Sequence, residues 1–186
     1  MPGPGDSSED LRIAARWGVG TLRDARGLVR LARELIATPK SWTKYAYARD
    51  RKGHPVIPGN NRPKPVAWCA LGSLLEAEHR RSGRRFLSGE AGDDLHIPIR
   101  LVLAVQAAML GCVEAFLADR EAAAGYDRDD TNVDELQVPE PASVLLSRAN
   151  DAPETTHEDI LRGFASADAL ITMLLRAREQ RNQRPK

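Results

Sequence analysis

Cys69 is the residue of this chain best suited to covalent chemistry. A thiol in the first turn of a helix feels the helix dipole and free backbone N–H groups, which favour the thiolate. A nucleophilic thiolate also needs a base, usually His, and a group that orients the base. His157 opens the last expected helix, with Asn150 and Asp151 just before it. Cys69 as nucleophile, His157 as base and Asp151 or Asn150 as orienter therefore form a candidate site if the two helix starts meet. His54 and His79 are alternative bases. The competing reading of Cys69 is the ordinary one for a free cysteine, a small buried hydrophobe. Cys112 falls on an apolar stripe in mid-helix and reads as core.

A second set of residues suits binding rather than reaction. Trp42, Asp50, Trp68, Asn150 and Asp151 are the candidates, lining a groove between a hairpin and the helix that carries Cys69. Each has a structural alternative: the two Trp as core anchors, Asp50 as the first residue of a turn, and the Asn-Asp pair as a brace for the loop before the last helix. The acidic run from Tyr126 to Glu135 invites a calcium loop. It fails the EF-hand template, with Asn132 where Gly is required and Val138 where the bidentate Glu belongs. No zinc-ligand spacing, Walker loop, dinucleotide Gly motif or His-Glu-x-x-His is present, so no metal or cofactor is implied.

The elements that must position these residues are mainly helical. Thr21 is the expected start of the first helix, with Asp24 near its positive end and Leu22, Ala25, Leu28, Leu31, Ala32, Leu35 and Ile36 at helical spacing. A small β-hairpin near 43–57 follows, with Asp50-Arg51-Lys52-Gly53 as its turn and Pro55 restricting the return strand to an edge. A second helix is expected from about Val66 to Arg80, with Pro65 at its start. On it Cys69, Gly72, Ser73 and Glu76 share one face. A third helix runs from near Pro98 towards Ala123, and a short helical turn holds Val144-Leu145-Leu146. The last helix opens with Thr155-Thr156-His157-Glu158, a capping-box pattern. The expected fold is mainly α, a single-domain open helical bundle of about four main helices over 10–180. Residues 1–9 are expected as a disordered tail and 181–186 as a frayed basic one.

Three blocks of the chain resemble a family of uncharacterised bacterial and phage domains of unknown function. The first is Trp42 followed by Ala48-Arg49-Asp50-Arg51-Lys52-Gly53, matching Trp and Ala-x-Asp-x-x-Gly. The second is Trp68, Cys69, Gly72, Ser73 and Leu74, matching Trp-Cys-x-x-Gly-(Ala/Ser)-Leu. The third is Asn150-Asp151 before Thr155, with Ala149 where the family usually carries an aromatic. The resemblance covers about 40–175 and implies no established activity.

Charge is unevenly distributed. Residues 1–92 hold 17 Lys/Arg against 9 Asp/Glu, and residues 93–186 hold 10 against 17, within an overall net charge of +1. Either the two halves complement each other or the basic half faces an acidic partner. Two cysteines without a Cys-x-x-Cys pair, and no apolar leader, favour a reducing, cytoplasmic setting. The apolar run Ile97–Ala118 contains Arg100, Gln106 and Glu114 and reads as a buried helix, not a membrane span. The leading functional reading is a non-catalytic intracellular domain that binds a protein partner or small ligand beside the Trp-Cys helix. The alternative is a cysteine-dependent hydrolase or transferase. An outsider is a nucleic-acid-associated protein using the basic N-terminal half, including Arg80-Arg81 and Arg84-Arg85.

Overall fold

The computed structural model describes residues 17–59, 62–83, 98–123 and 142–183, with side chains of the third stretch described to Cys112. The expectations for residues 1–9 and 184–186, the Arg84-Arg85 pair and the acidic run 126–135 lie outside these residues, whereas Arg181 and Asn182 of the expected basic tail instead end the last helix. The described chain is mainly helical, with one small sheet. Helix α1 spans Val19–Leu35. A single 3-10 turn, Pro39–Ser41, leads into strands β1 (Ala48–Arg49), β2 (Pro55–Val56) and β3 (Ala67–Trp68). Helices α2 (Ala70–Ser82), α3 (Ile99–Ala123), α4 (Ala142–Asp151) and α5 (His157–Asn182) follow.

Helix α1 begins two residues before Thr21, and its first turn holds no acid. Asp24 instead forms an ion pair with Arg81 at the end of α2. Its apolar stripe is as the periodicity predicts, with Leu22, Ala25, Leu28, Val29, Ala32 and Ile36 fully buried. The capping box of α5 falls one residue later than expected. Thr156 accepts from Asp159 N, and the Asp159 carboxylate accepts from Thr156 N at 2.8 Å. The segment around Val144 is a ten-residue helix rather than a single turn.

Two expectations need correction. Ala67 and Trp68 do not open the second helix: they form β3, antiparallel to β1, giving the sheet order β2-β1-β3. Two prolines in three residues, Pro63 and Pro65, keep the approaching chain extended, so it meets β1 before it can turn into a helix. Asn150 and Asp151 lie not in a loop but in the last turn of α4. The hairpin itself is present, and Pro55 sits on the edge strand β2, where its missing N–H leaves no ladder bond open.

One core runs through all five helices and reaches the sheet through Ala48 and Trp68. Helices α3 and α5 pair most extensively, and α1 packs against both. At the α3–α5 crossing the backbones touch. A Cβ on Gly111 would lie 2.2 Å from Gly163 O, and one on Gly163 would lie 2.5 Å from Cys112 Sγ. The charge halves meet between α1 and α5. Asp168 of α5 accepts from Arg26 at 2.7 Å and from Arg30 at 2.9 Å, and Glu179 accepts from Arg23. Burial would raise the Asp168 carboxyl, but the two guanidinium groups outweigh it and hold it below the usual range. Glu78, fully buried in α2, takes two bonds from Arg100 of α3. Much of the basic surface of the first half is therefore matched internally by acids of the fold. No helix among the described residues is long and apolar enough to cross a membrane.

Candidate functional site

Asn150 is the centre of the polar structure around the Trp-Cys segment. It is fully buried, and both ends of its amide are satisfied. Its Oδ1 accepts from Trp42 Nε1 at 2.8 Å and from Ala70 N at 3.0 Å. Its Nδ2 donates to Thr43 O at 3.1 Å and to Asp151 Oδ1 at 2.9 Å. One amide thus ties α4 to the hairpin entry, to the Trp42 ring and to the N-terminus of α2. Ala70 N is one of the free donors that every helix start leaves, so this bond also caps α2. Only an amide supplies acceptor and donor ends together at that point; a carboxylate would face Thr43 O with no proton to give.

Asp151 extends the clasp. Its Oδ1 also accepts from Tyr45 N at 2.8 Å. Tyr45 has a φ of 60°, in the left-handed region that side chains other than Gly rarely adopt. Lys44, beside it, donates from Nζ to Ala152 O at 2.5 Å and reaches Pro153 O, both at the C-terminal end of α4. A cation there complements the negative end of the helix. Thr155 closes the turn by donating from Oγ1 to Ala149 O at 2.6 Å.

Cys69 is the N-cap of α2. Its Sγ accepts from Gly72 N at 3.2 Å, and its own N donates to Tyr47 O at 3.1 Å. A Cβ on Gly72 would lie 1.7 Å from that same Tyr47 O. The glycine is what lets the hairpin backbone lie against the first turn of α2. Cys69 is 4% exposed. Burial pushes its thiol up to about 11, the charge of Asp151 adds to the rise, and the bond from Gly72 N only partly opposes it. The helix start does favour the thiolate, but desolvation wins, so the thiol is protonated at neutral pH.

His157 is held elsewhere. Its Nε2 lies 2.6 Å from Ile36 O, and its ring tilts against Trp42 with centroids 5.7 Å apart. No hydrogen bond joins it to Cys69. Cys69 and Asp151 line the same cleft and His157 does not, so the structure brings together Cys69 and Asp151 but not the base between them. His54 stands at the hairpin turn against Asp50 at 3.5 Å, and His79 lies in the last turn of α2. Cys112 is buried at the α3–α5 crossing, where desolvation pushes its thiol up to about 12.

Asp50 organises the turn. Its Oδ1 accepts from Lys52 N at 2.8 Å and His54 N at 2.9 Å. Burial works to raise its carboxyl, yet the bonds from His54 and Lys52 outweigh that and hold it below the usual range. Trp68 is buried, with the Arg80 guanidinium over its ring at 5.7 Å. Trp42 bridges to Trp68 in parallel and is bound to Asn150.

Two clefts flank the hairpin. One, of about 430 Å³, is lined by Tyr45, Ala46, Tyr47, Pro55, Val56, Ile57, Cys69, Ser147 and Asp151. The other, of about 510 Å³, is lined by Asp50, Arg51, Lys52, His54, Pro63, Lys64 and Val66. Of the five residues expected to bind, Asp151 lines the first cleft and Asp50 the second. Trp42, Trp68 and Asn150 line neither. Sequence reasoning missed Tyr45 and Tyr47, which are 69% and 51% exposed. Their alternate spacing in a β-prone run was the available signal. Among the described residues no group of three His, Cys, Asp or Glu side chains could hold a metal ion.

Fold and site together define a helical-bundle domain whose small sheet is clasped to it by an Asn-Asp pair. Residues 20–170 match a family of unknown function, DUF6197, and the chain belongs to that family. No curated protein and no solved structure matches it.

Proposed function

We propose that the domain is a non-catalytic binding module and that the cleft of Tyr45, Tyr47, Ile57, Ser147 and Asp151 receives a segment of a protein partner. One observation carries this reading. Tyr45 is kept in a left-handed backbone conformation by Asp151 while its ring stands 69% exposed beside the cleft. A strained backbone persists where surrounding structure over-determines it, and such residues gather at ligand-contacting sites. Tyrosine suits the task, since it offers a rigid apolar ring and a hydrogen-bonding tip at low entropic cost. The cysteine-dependent reaction is the weaker reading, because Cys69 is buried and protonated and His157 is engaged with Ile36.

The test is a photo-crosslinking amino acid in place of Tyr47, in the protein's native cell, with the same group in place of exposed Arg33 as control. A discrete adduct is expected from position 47 only, and it should vanish when Asp151→Ala is added. No adduct at 47, or the same adducts from both positions, would overturn the reading.

A further inference from the structure

The basic residues of the N-terminal half divide into two groups. Most are engaged. Arg23, Arg26 and Arg30 pair with carboxylates of α5, Arg80 with Glu76, and Arg81 with Asp24. Arg49 reaches Thr43 Oγ1, Gly53 O and Lys44 O, and Lys44 is bound to carbonyls at the end of α4. Arg51, Lys52 and Lys64 have no such partner among the described residues. All three are exposed, and all three line the same cleft. Arg33, Lys40 and Arg62 also have no such partner among the described residues but do not line it.

The rest of that cleft fits the same reading. His54 also lines it, 3.5 Å from the second oxygen of the Asp50 carboxylate. Asp50 is the one acid in the lining, and its Oδ1 is already engaged by two backbone N–H groups. Pro63 and Val66 supply apolar surface. A cleft with several free cations and a hydrophobic part matches a ligand that alternates phosphate with flat apolar groups.

We propose that this cleft holds the phosphodiester backbone of a single-stranded nucleic acid, with Arg51, Lys52 and Lys64 on phosphates and Pro63 and Val66 against a base or sugar. The site is separate from the tyrosine cleft, so this proposal stands or falls independently of the binding reading above. Neutralising three phosphates gives a dependence of log affinity on log salt of about −2 for single strands.

The experiment is fluorescence anisotropy of a labelled oligothymidylate with the full chain across a salt series. Binding at low salt with a slope near −2 is expected. The triple variant Arg51→Gln, Lys52→Gln, Lys64→Gln should lose at least tenfold in affinity and flatten the slope. These side chains are exposed, and an unchanged thermal melt will show that the variant is folded. The control pair Arg33→Gln, Arg176→Gln should bind as the parent does. Val66→Ser should weaken the oligonucleotide several-fold, and tripolyphosphate at equal phosphate concentration should compete poorly. No binding at low salt, equal loss in the control pair, or full competition by tripolyphosphate would overturn the proposal.

Discussion

Where α3 crosses α5, two glycines let backbones touch, and buried Cys112 packs against Gly163. Where the hairpin meets α2 and α4, a glycine again admits a backbone, but the joint is closed by the Asn150 amide and the Asp151 carboxylate. The two joints share the same steric device and differ in what completes it. The helix crossing is held by dispersion and by removal of apolar surface from water, which tolerate small slips. The clasp is held by directional bonds, which fix the hairpin in one register and leave each buried partner costly to expose. The difference teaches where rigidity is needed. The crossing is merely tight, whereas the clasp holds the Tyr45 backbone in one conformation.

The largest expected effect breaks the helix crossing. Gly111→Val would place its Cβ against Gly163 O, and both helices would have to separate. A loss of about 3 kcal/mol or more is expected in denaturant unfolding, with the whole chain affected. Gly72→Ala is the matched substitution in the clasp, with an even closer approach to Tyr47 O. It should free the hairpin and leave the bundle folded. Amide exchange would then rise at Cys69, Val66 and Thr43, whose N–H groups donate to Tyr47 O, Arg49 O and Trp68 O, while the protection of α3 and α5 stays. Global unfolding by Gly72→Ala would show that the two joints are not separate.

Asn150→Ala removes four hydrogen bonds and strands Trp42 Nε1 and Ala70 N. With about 1–3 kcal/mol for each buried group left unpaired, a loss of about 3 kcal/mol is expected. Trp fluorescence should shift as Trp42 loses its partner. A near-neutral result would mean that the clasp is not the hub of the polar joint.

The general architecture was legible because helix periodicity depends on local spacing. Leu22 to Ile36 and Ile160 to Leu175 announce their buried faces by themselves. The turn role of Asp50, the edge position of Pro55 and the buried fate of Cys112 follow from equally local rules. The clasp was only half legible. Asn150 and Asp151 stood out as a pair, but their partners Trp42, Thr43, Tyr45 and Ala70 lie far away in sequence. The start of α2 was misplaced because Ala67-Trp68 suits a helix by composition, and only pairing with β1 makes it a strand. The His157–Cys69 meeting failed for the same reason: which helix starts converge is a tertiary fact. His157 went to the C-terminal end of α1 and not to the N-terminal end of α2.

The two thiols give a pH test of both joints at once. Each is raised by burial from the ordinary 9.0, Cys69 to about 11 and Cys112 to about 12. The folded chain then holds protons that the unfolded chain has lost. The stability they contribute is complete below pH 9 and falls as pH rises towards 11 and 12. A loss of a few kcal/mol per thiol, larger for Cys112 than for Cys69, is expected by the top of that window. Tyr and Lys titrate there as well, so the measurement is the difference between the parent and the Cys69→Ala, Cys112→Ala double variant. Parallel pH profiles would mean that neither thiol is buried as described.

The smallest effect separates the two cysteines from each other. Cys69→Ser keeps an acceptor for Gly72 N, and serine is a better N-cap than cysteine, so the gain in capping offsets the cost of burying a hydroxyl. The net change should be under about 1 kcal/mol, of either sign. Cys112→Ser puts the same hydroxyl into the buried α3–α5 crossing against Gly163, without an N-cap bond to offset its burial, and should cost about 1–3 kcal/mol. Alkylation adds a kinetic readout. In the Cys112→Ser protein, Cys69 should resist iodoacetamide at neutral pH and react only as the chain unfolds, because both exposure and thiolate are lacking in the folded state. Fast native-state labelling would place a thiolate at the start of α2. In that event Asp151 and the cleft beside it would have to be read as parts of a reacting site, and the polar joint would owe its rigidity to chemistry rather than to the display of Tyr45.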